Sequence, residues 1–308
     1  MPPDATKLRP HIDRIAVIAP VSDPGLAEAI HSGIWTQFDD KEVFAPTTQT
    51  IGGYKVGKRI NLQAIKHDKK RPLLHYQFTK GQGAGQAHKF RIEFSPVDLG
   101  AEAMSALHGI LITIVPDGWR FFIDYGYISK IEVTVDIPDV GMDQVHAMLQ
   151  SAPSFRTWSS KGKLETIMFG KPKGNQYRIY DRGRKRQALG QGWNGPTTVR
   201  VERVLRGQQR PLNQLRALPN PFTGITLTTL PKSKPPSEPE ERRWQMFCDS
   251  VAMRQVTGAL QLLSEKKRPK YRQWLKQHEV GFWDPDEIWN QWSDLLEQSN
   301  LINRHAWK

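Results

Sequence analysis

The sequence predicts an α+β fold: duplicated antiparallel sheet units with helices on one side, plus a C-terminal helical segment. Three observations carry this. Short runs along the first three quarters of the chain alternate apolar and polar side chains, the period-two pattern of half-buried strands. The order of those runs recurs, so that Phe90-Arg91-Ile92-Glu93-Phe94 and Val199-Arg200-Val201-Glu202-Arg203 match, each leading towards a helix, and residues 11–20 correspond loosely to 129–138. Beyond Pro239 the composition shifts to long side chains and tryptophan in helix-like runs.

Taken in order, residues 12–20 (IDRIAVIAP) read as a strand closed by Pro20 and Ser22-Asp23-Pro24-Gly25, with Asp23 or Ser22 capping a helix over 26–35. Short strands are expected near 54–56 and 59–62, then at 73–79 (LLHYQFT) and 89–95 (KFRIEFS). The glycine-rich stretch 80–85 between them reads as a hairpin connection and not as a phosphate loop, because neither a helix start nor a Gly-Lys-Ser/Thr ending follows it. Residues 100–115 place Met104, Leu107, Leu111 and Ile114 on one helical face, and Pro116-Asp117-Gly118 stops the helix.

In the second half 128–137 (ISKIEVTVDI) is a strand, 142–149 suits a helix, and 164–181 forms a hairpin turning at Lys171-Pro172-Lys173-Gly174. A strand at 198–205 and a short helix at 212–218 follow. Pro231-Lys232-Ser233-Lys234-Pro235-Pro236-Ser237-Glu238-Pro239 reads as a linker. Residues 240–263 and 268–278 suit helices, and Asp284 with Pro285 in the first position begins another. The expected organisation is an N-terminal repeat unit at 1–127, a second unit at 128–230, a linker at 231–239 and a helical domain at 240–308.

Charge narrows the partner. Lysine and arginine total 44 against 31 acids, a net +13 with a pI of about 9.8, which points to a polyanion. No apolar run approaches the roughly 20 residues of a spanning helix, so no membrane role is expected. The opening MPPDATKLRP lacks the apolar core of a signal peptide, and Cys248 is alone, which excludes an intrachain disulfide and disfavours a cysteine zinc site. The expectation is a cytoplasmic, nucleic-acid-facing protein.

The chemistry concentrates in the second unit. On the strand 130–137, Ile131, Val133, Val135 and Ile137 share one face, leaving Glu132, Thr134 and Asp136 on the other. Glu132 and Asp136 are four residues apart, roughly 13 Å along a strand, so one of them needs a further acid from a neighbouring strand to share an ion, and Glu202 is the candidate. Such oxygen donors suit Mg2+ or Mn2+; a solvated face with cross-strand arginine pairs is the alternative. The hairpin carries Tyr177 and Tyr180 with Arg178 between them and Arg182, Arg184, Lys185 and Arg186 directly after. The tyrosines differ by three and point to opposite faces; Arg178 and the basic cluster favour Tyr180 as a nucleophile, Tyr177 stays a second choice, and packing is the alternative for either. Lys171 and Lys173 at the turn and Lys267, Arg268 and Lys270 in the tail are further candidate phosphate contacts, although the tail cluster serves equally as a solvated surface.

The succession KIEVTVDIP, ETIMFGKPKGNQYRIYDRG and TVRVERVLR resembles the trans-acting replication initiation factor family of rolling-circle plasmids and phages, and is similar to some integrative-element relaxases. The resemblance covers roughly residues 88–230. It implies a metal-dependent nickase-ligase in which a tyrosine attacks one phosphodiester at a plasmid or phage origin, stays linked to the 5′ end and frees a 3′ hydroxyl. Glu132, Asp136 and Glu202 match the family's acids, with Glu132 in place of an aspartate; Tyr180 matches the tyrosine of its hydrophobic-Tyr-Asp-Lys segment, with Arg182 in place of lysine. A homodimer and a host helicase and polymerase are implied partners. A non-catalytic origin-binding or repressor protein, and an RNA-binding protein using exposed aromatics, are the competing expectations.

Overall fold

The structure, a computed structural model, describes residues 8–38, 40, 42–47, 54, 56–63, 65, 70–77, 88–149, 154–160 and 163–307. In chain order its elements are β1 (Pro10–Val21), α1 (Pro24–Phe38), β2 (Phe44–Pro46), β3 (Val56–Ile60), β4 (Leu73–Gln77), β5 (His88–Phe94), α2 (Pro96–Ile112), α3 (Trp119–Tyr125) and β6 (Tyr127–Pro138). There follow β7 (His146–Leu149), β8 (Phe155–Ser160), β9 (Lys163–Phe169), β10 (Gln176–Asp181), α4 (Arg182–Ala188), β11 (Thr198–Pro211), a 3-10 helix (Leu212–Ala217) and β12 (Ile225–Thr228). The chain ends in α5 (Glu241–Leu262), α6 (Arg268–Lys276), α7 (Pro285–Asn290), α8 (Trp292–Ser299) and a single 3-10 turn (Arg304–Ala306).

The fold is α+β around a large sheet of ten strands in the order β2-β3-β4-β5-β1-β6-β11-β10-β9-β8, and β7 and β12 pair separately. Reading outward from β1 gives β1-β5-β4-β3-β2, and from β6 gives β6-β11-β10-β9-β8. In both sets the first strand is followed by the last and then by the others in reverse, the signature of a duplicated unit. By contacts the chain falls into two compact units, one of Met1–Pro10, Thr134–Val204 and Pro219–Gln291, the other of His11–Val133, Leu205–Leu218 and Trp292–Lys308.

In the unit of His11–Val133, strand parity separates an apolar face from a polar one. Phe90 and Phe94 on β5 project towards α3, with ring centroids 5.4 Å from Phe122 and 5.2 Å from Trp119. Tyr76 on β4 shares that face, contacts Phe90 edge-on and donates its hydroxyl to the Ala27 carbonyl of α1. Residues Arg91 and Glu93 alternate to the other side of the same strand. Ser95 caps α2 by accepting from Asp98 N–H, and Pro96 occupies the first turn, where no N–H is required. Trp119, fully buried, also donates its indole N–H to the Leu301 carbonyl, tying the chain end to the helices.

In the other unit the apolar side of β10, Tyr177 and Ile179, is buried. The helices beyond residue 240 have a core of their own, Trp244, Phe247, Val251, Val256, Ala259, Leu260, Tyr271 and Leu275, which also takes in Met148 of β7. Within 231–239, Glu238 is buried and receives hydrogen bonds from Lys267 and Tyr271.

One expectation changes, and one run without an expected element takes a structure. Residues 142–149 form no helix: His146–Leu149 is a strand whose partner, Ile225–Thr228, lies far along the chain, so pairing overrides the local pattern. The basic run after Tyr180 is a helix, because Asp181 accepts from Arg184 N–H and satisfies the first turn. The glycine-rich stretch 80–85 lies outside the described residues.

Candidate active site

The site is built on the polar face of β6, β10 and β11. Apolar Ile131, Val133, Val135 and Ile137, and Val199 and Val201, are wholly buried on one side, which obliges the intervening residues to the other. The β10–β11 ladder sets Arg178 opposite Glu202 and Tyr180 opposite Arg200, so these four side chains share a face. The Tyr180 hydroxyl donates to Glu202 Oε2 at 3.0 Å, and Arg178 donates to Glu202 Oε1 at 2.6 Å. From the first turns of α4, Lys185 places its ammonium 3.8 Å from the Tyr180 ring centroid and 4.0 Å from Glu202 Oε2. Glu202 is 1 % exposed, which strengthens every one of these interactions relative to water.

Asp136, one further row along the face, is gripped by two guanidiniums. Arg200 donates through Nε and Nη2 at 2.6 and 2.9 Å in a bidentate fork, and Arg182 donates through Nη1 at 2.6 Å. Burial and then the neighbouring Arg200 and Arg186 depress the Arg182 guanidinium, the mark of a crowded cationic site, while Asp136 offsets them. Four cations, Arg178, Arg182, Lys185 and Arg200, thus surround two carboxylates, Asp136 and Glu202. Cations gathered on one face of the sheet can engage phosphate oxygens. Trp193 sits beside this cluster, with the guanidiniums of Arg182 and Arg186 5.0 and 5.7 Å from its ring.

Tyr177 takes the opposite face. It donates to the Pro221 carbonyl at 2.8 Å, lies under the Arg203 guanidinium at 4.1 Å, and its phenol is pushed above its ordinary range by burial, against the opposing effect of Arg203. The structure therefore brings Tyr180, Arg178 and Glu202 together and places Tyr177 apart from them. Of the other basic candidates, Lys171 and Lys173 are exposed at the hairpin turn, and Arg184 pairs with Asp181 and Glu165. In the tail Lys267 pairs with Glu238, Arg268 donates to the carbonyls of Leu263 and Gln261, and Lys270 is exposed.

An acidic cluster accompanies the site. Carboxylate oxygens of Asp13, Glu132 and Glu202 all lie within 4.8 Å of one another. The set is all oxygen, the chemistry that suits Mg2+ or Mn2+, and it could hold a divalent ion. A second observation agrees: Thr134 Oγ1, on the same strand face between Glu132 and Asp136, is fully buried and has no hydrogen-bond partner among the described residues. Asp136, an expected ligand, is instead held by the arginines, and Asp13 takes its place in the cluster. Asp13 was not among the residues expected from the sequence: the loose match of residues 11–20 to 129–138 sets it opposite Ile131 and not opposite an acid.

The first unit repeats the scaffold with other chemistry. Its β4–β5 ladder sets Leu73 opposite Glu93 and His75 opposite Arg91, where the second unit has Arg178 with Glu202 and Tyr180 with Arg200. The arginine and glutamate are kept, while leucine stands for Arg178 and histidine for Tyr180. Glu93 is committed to ion pairs with Arg91 at 2.5 Å, Lys130 at 3.2 Å and Arg14 at 3.5 Å. Burial alone would raise its carboxyl, but Lys130 and Arg91 bring it down to about 2. Comparison with protein-family models gives no match, and comparison with curated proteins gives none. Among the described residues no helix is long and apolar enough to cross a membrane.

Proposed function

We propose that the protein nicks one strand of DNA by transesterification, with Tyr180 as the nucleophile. The single observation that carries this reading is the Tyr180 hydroxyl donating to the buried Glu202 carboxylate beneath the Lys185 ammonium. Glu202 is positioned to take the phenolic proton, and Lys185 and Arg178 to stabilise negative charge as the oxygen attacks phosphorus. The Tyr180 oxygen–phosphorus bond forms as the bond from phosphorus to the leaving 3′ oxygen breaks. That oxygen leaves as a 3′ hydroxyl by taking the proton that Glu202 removed from the phenol, and the 5′ phosphate stays on Tyr180. Arg200 and Arg182 are the groups that would grip the scissile phosphate's neighbours, with Asp136 fixing their orientation. A divalent cation held by Asp13, Glu132 and Glu202 would supply charge neutralisation at the phosphoryl oxygens.

The resemblance to the rolling-circle initiators supports the same chemistry, which would serve a plasmid or phage replication initiator or a mobile-element relaxase, acting in the cytoplasm as a homodimer. The test is a nicking assay on supercoiled origin plasmid with Mn2+. Tyr180→Phe is expected to abolish nicking, whereas Tyr177→Phe retains it. Nicking by Tyr180→Phe at the rate of the parent protein overturns the assignment.

A further inference from the structure

Tyr180 does not stand alone on its sheet face. The ladders pair Trp158 of β8 with Thr166 of β9, Thr166 with Tyr180 of β10, and Tyr180 with Arg200 of β11. Directly paired residues of antiparallel strands project to the same side, so Trp158, Thr166, Tyr180 and Arg200 form one row across four strands. The adjacent row runs Arg156, Met168, Arg178 and Glu202. Parity on β9 agrees, because Ile167 and Phe169 are buried while Thr166 and Met168 are not. Trp158 lies two strand spacings from Tyr180, about 10 Å.

Trp158 is also anomalous. It is 45 % exposed on an outermost strand of the sheet, and the Arg156 guanidinium lies 6.0 Å from its ring. Trp158 therefore presents a large part of its ring to water beside an arginine, on the same face as Tyr180. From β8 to β11 the face thus offers an exposed aromatic and an arginine at one end and Tyr180 with its cations at the other.

We infer that Trp158 is a base-stacking platform for single-stranded DNA, and that one strand runs from β8 towards Tyr180 with its phosphates along Arg156 and Arg178. The inference rests on the DNA-nicking reading and names its substrate as the unpaired strand. A base can stack on a protein aromatic only when it has left its duplex neighbours, and the stacking is tolerant of sequence. Backbone charge complements the arginines, and the distance from Trp158 to Tyr180 is short enough for one strand to reach both.

The experiment measures anisotropy of a labelled oligo-dT on the full chain carrying Tyr180→Phe, so that binding is read without cleavage. Adding Trp158→Ala is expected to weaken single-strand binding roughly 5- to 150-fold. Trp158→Phe restores most of the affinity, and duplex affinity changes less than twofold in both. Unchanged oligo-dT binding in Trp158→Ala, an equal loss on duplex, or tighter binding of oligo-rU than oligo-dT overturns the inference. The two readings fail separately. A Trp158-dependent single-strand affinity with no covalent adduct on any DNA would remove the nuclease and keep the platform; an adduct on Tyr180 with Trp158→Ala binding normally would do the reverse.

Discussion

Replacing Glu93 by glutamine tests the electrostatic reading of the first unit. The carboxyl is held at about 2 against an ordinary 4.5, by Lys130 and Arg91 working against burial. A folded-state value below the unfolded one means stability that is present above pH 4.5 and lost as pH falls towards 2. At 1.36 kcal/mol per pH unit the contribution is about 3 kcal/mol at neutral pH, shrinking to about 1.4 kcal/mol at pH 3. Glutamine cannot ionise, so Glu93→Gln forfeits the whole amount at pH 7 and progressively less in acid. Urea denaturation of both proteins at pH 7, 5, 4 and 3 reads the difference directly. A difference that is the same at pH 3 as at pH 7 would refute the ion-pair account and leave only a packing change.

Gly183→Ala would set a Cβ 2.6 Å from Trp193 Cδ1. The overpacking cost of about 1–3 kcal/mol outweighs the roughly 1 kcal/mol that alanine gains in a helix, so thermal unfolding should move down. Trp119→Ala empties a fully buried site and breaks the indole bond to Leu301; a loss of about 3–5 kcal/mol is expected in denaturant titration. Asp136→Asn removes the charge that Arg182 and Arg200 share; because the Asp136 side chain is 22 % exposed, a loss of about 2–4 kcal/mol is expected, together with tighter, more salt-sensitive oligonucleotide binding. Mn2+ at a hundred times its dissociation constant should stabilise the protein by about 2.7 kcal/mol, and Glu202→Gln should remove most of that shift in calorimetry.

Much of this was legible in the residues. Alternation located β1, β4, β5, β6, β9, β10 and β11, and the matched segments around Glu93 and Glu202 announced the duplication that the strand order displays. Parity alone put Tyr177 and Tyr180 on opposite faces; choosing between them required the pairing of β10 with β11, a long-range fact no local pattern contains. Other elements were hidden for physical reasons. FRTWSS has almost no apolar alternation and becomes β8 because it pairs with β9. WRFFIDY is aromatic-rich and carries little helix propensity, yet it forms α3 because Trp119 and Phe122 pack on Phe94 and Phe90. HAML takes its strand state from a partner near residue 226. Arg182 was expected as a phosphate contact, but its tie to Asp136, which takes that acid away from the proposed ion site, depends on side chains meeting across strands.

The most direct measurement is peptide mapping by mass spectrometry of the adduct trapped on a single-stranded oligonucleotide with Mn2+. A nucleotide mass carried on Tyr180 is the predicted result. A modified Tyr177, or an unmodified protein beside cleaved DNA, would contradict the account.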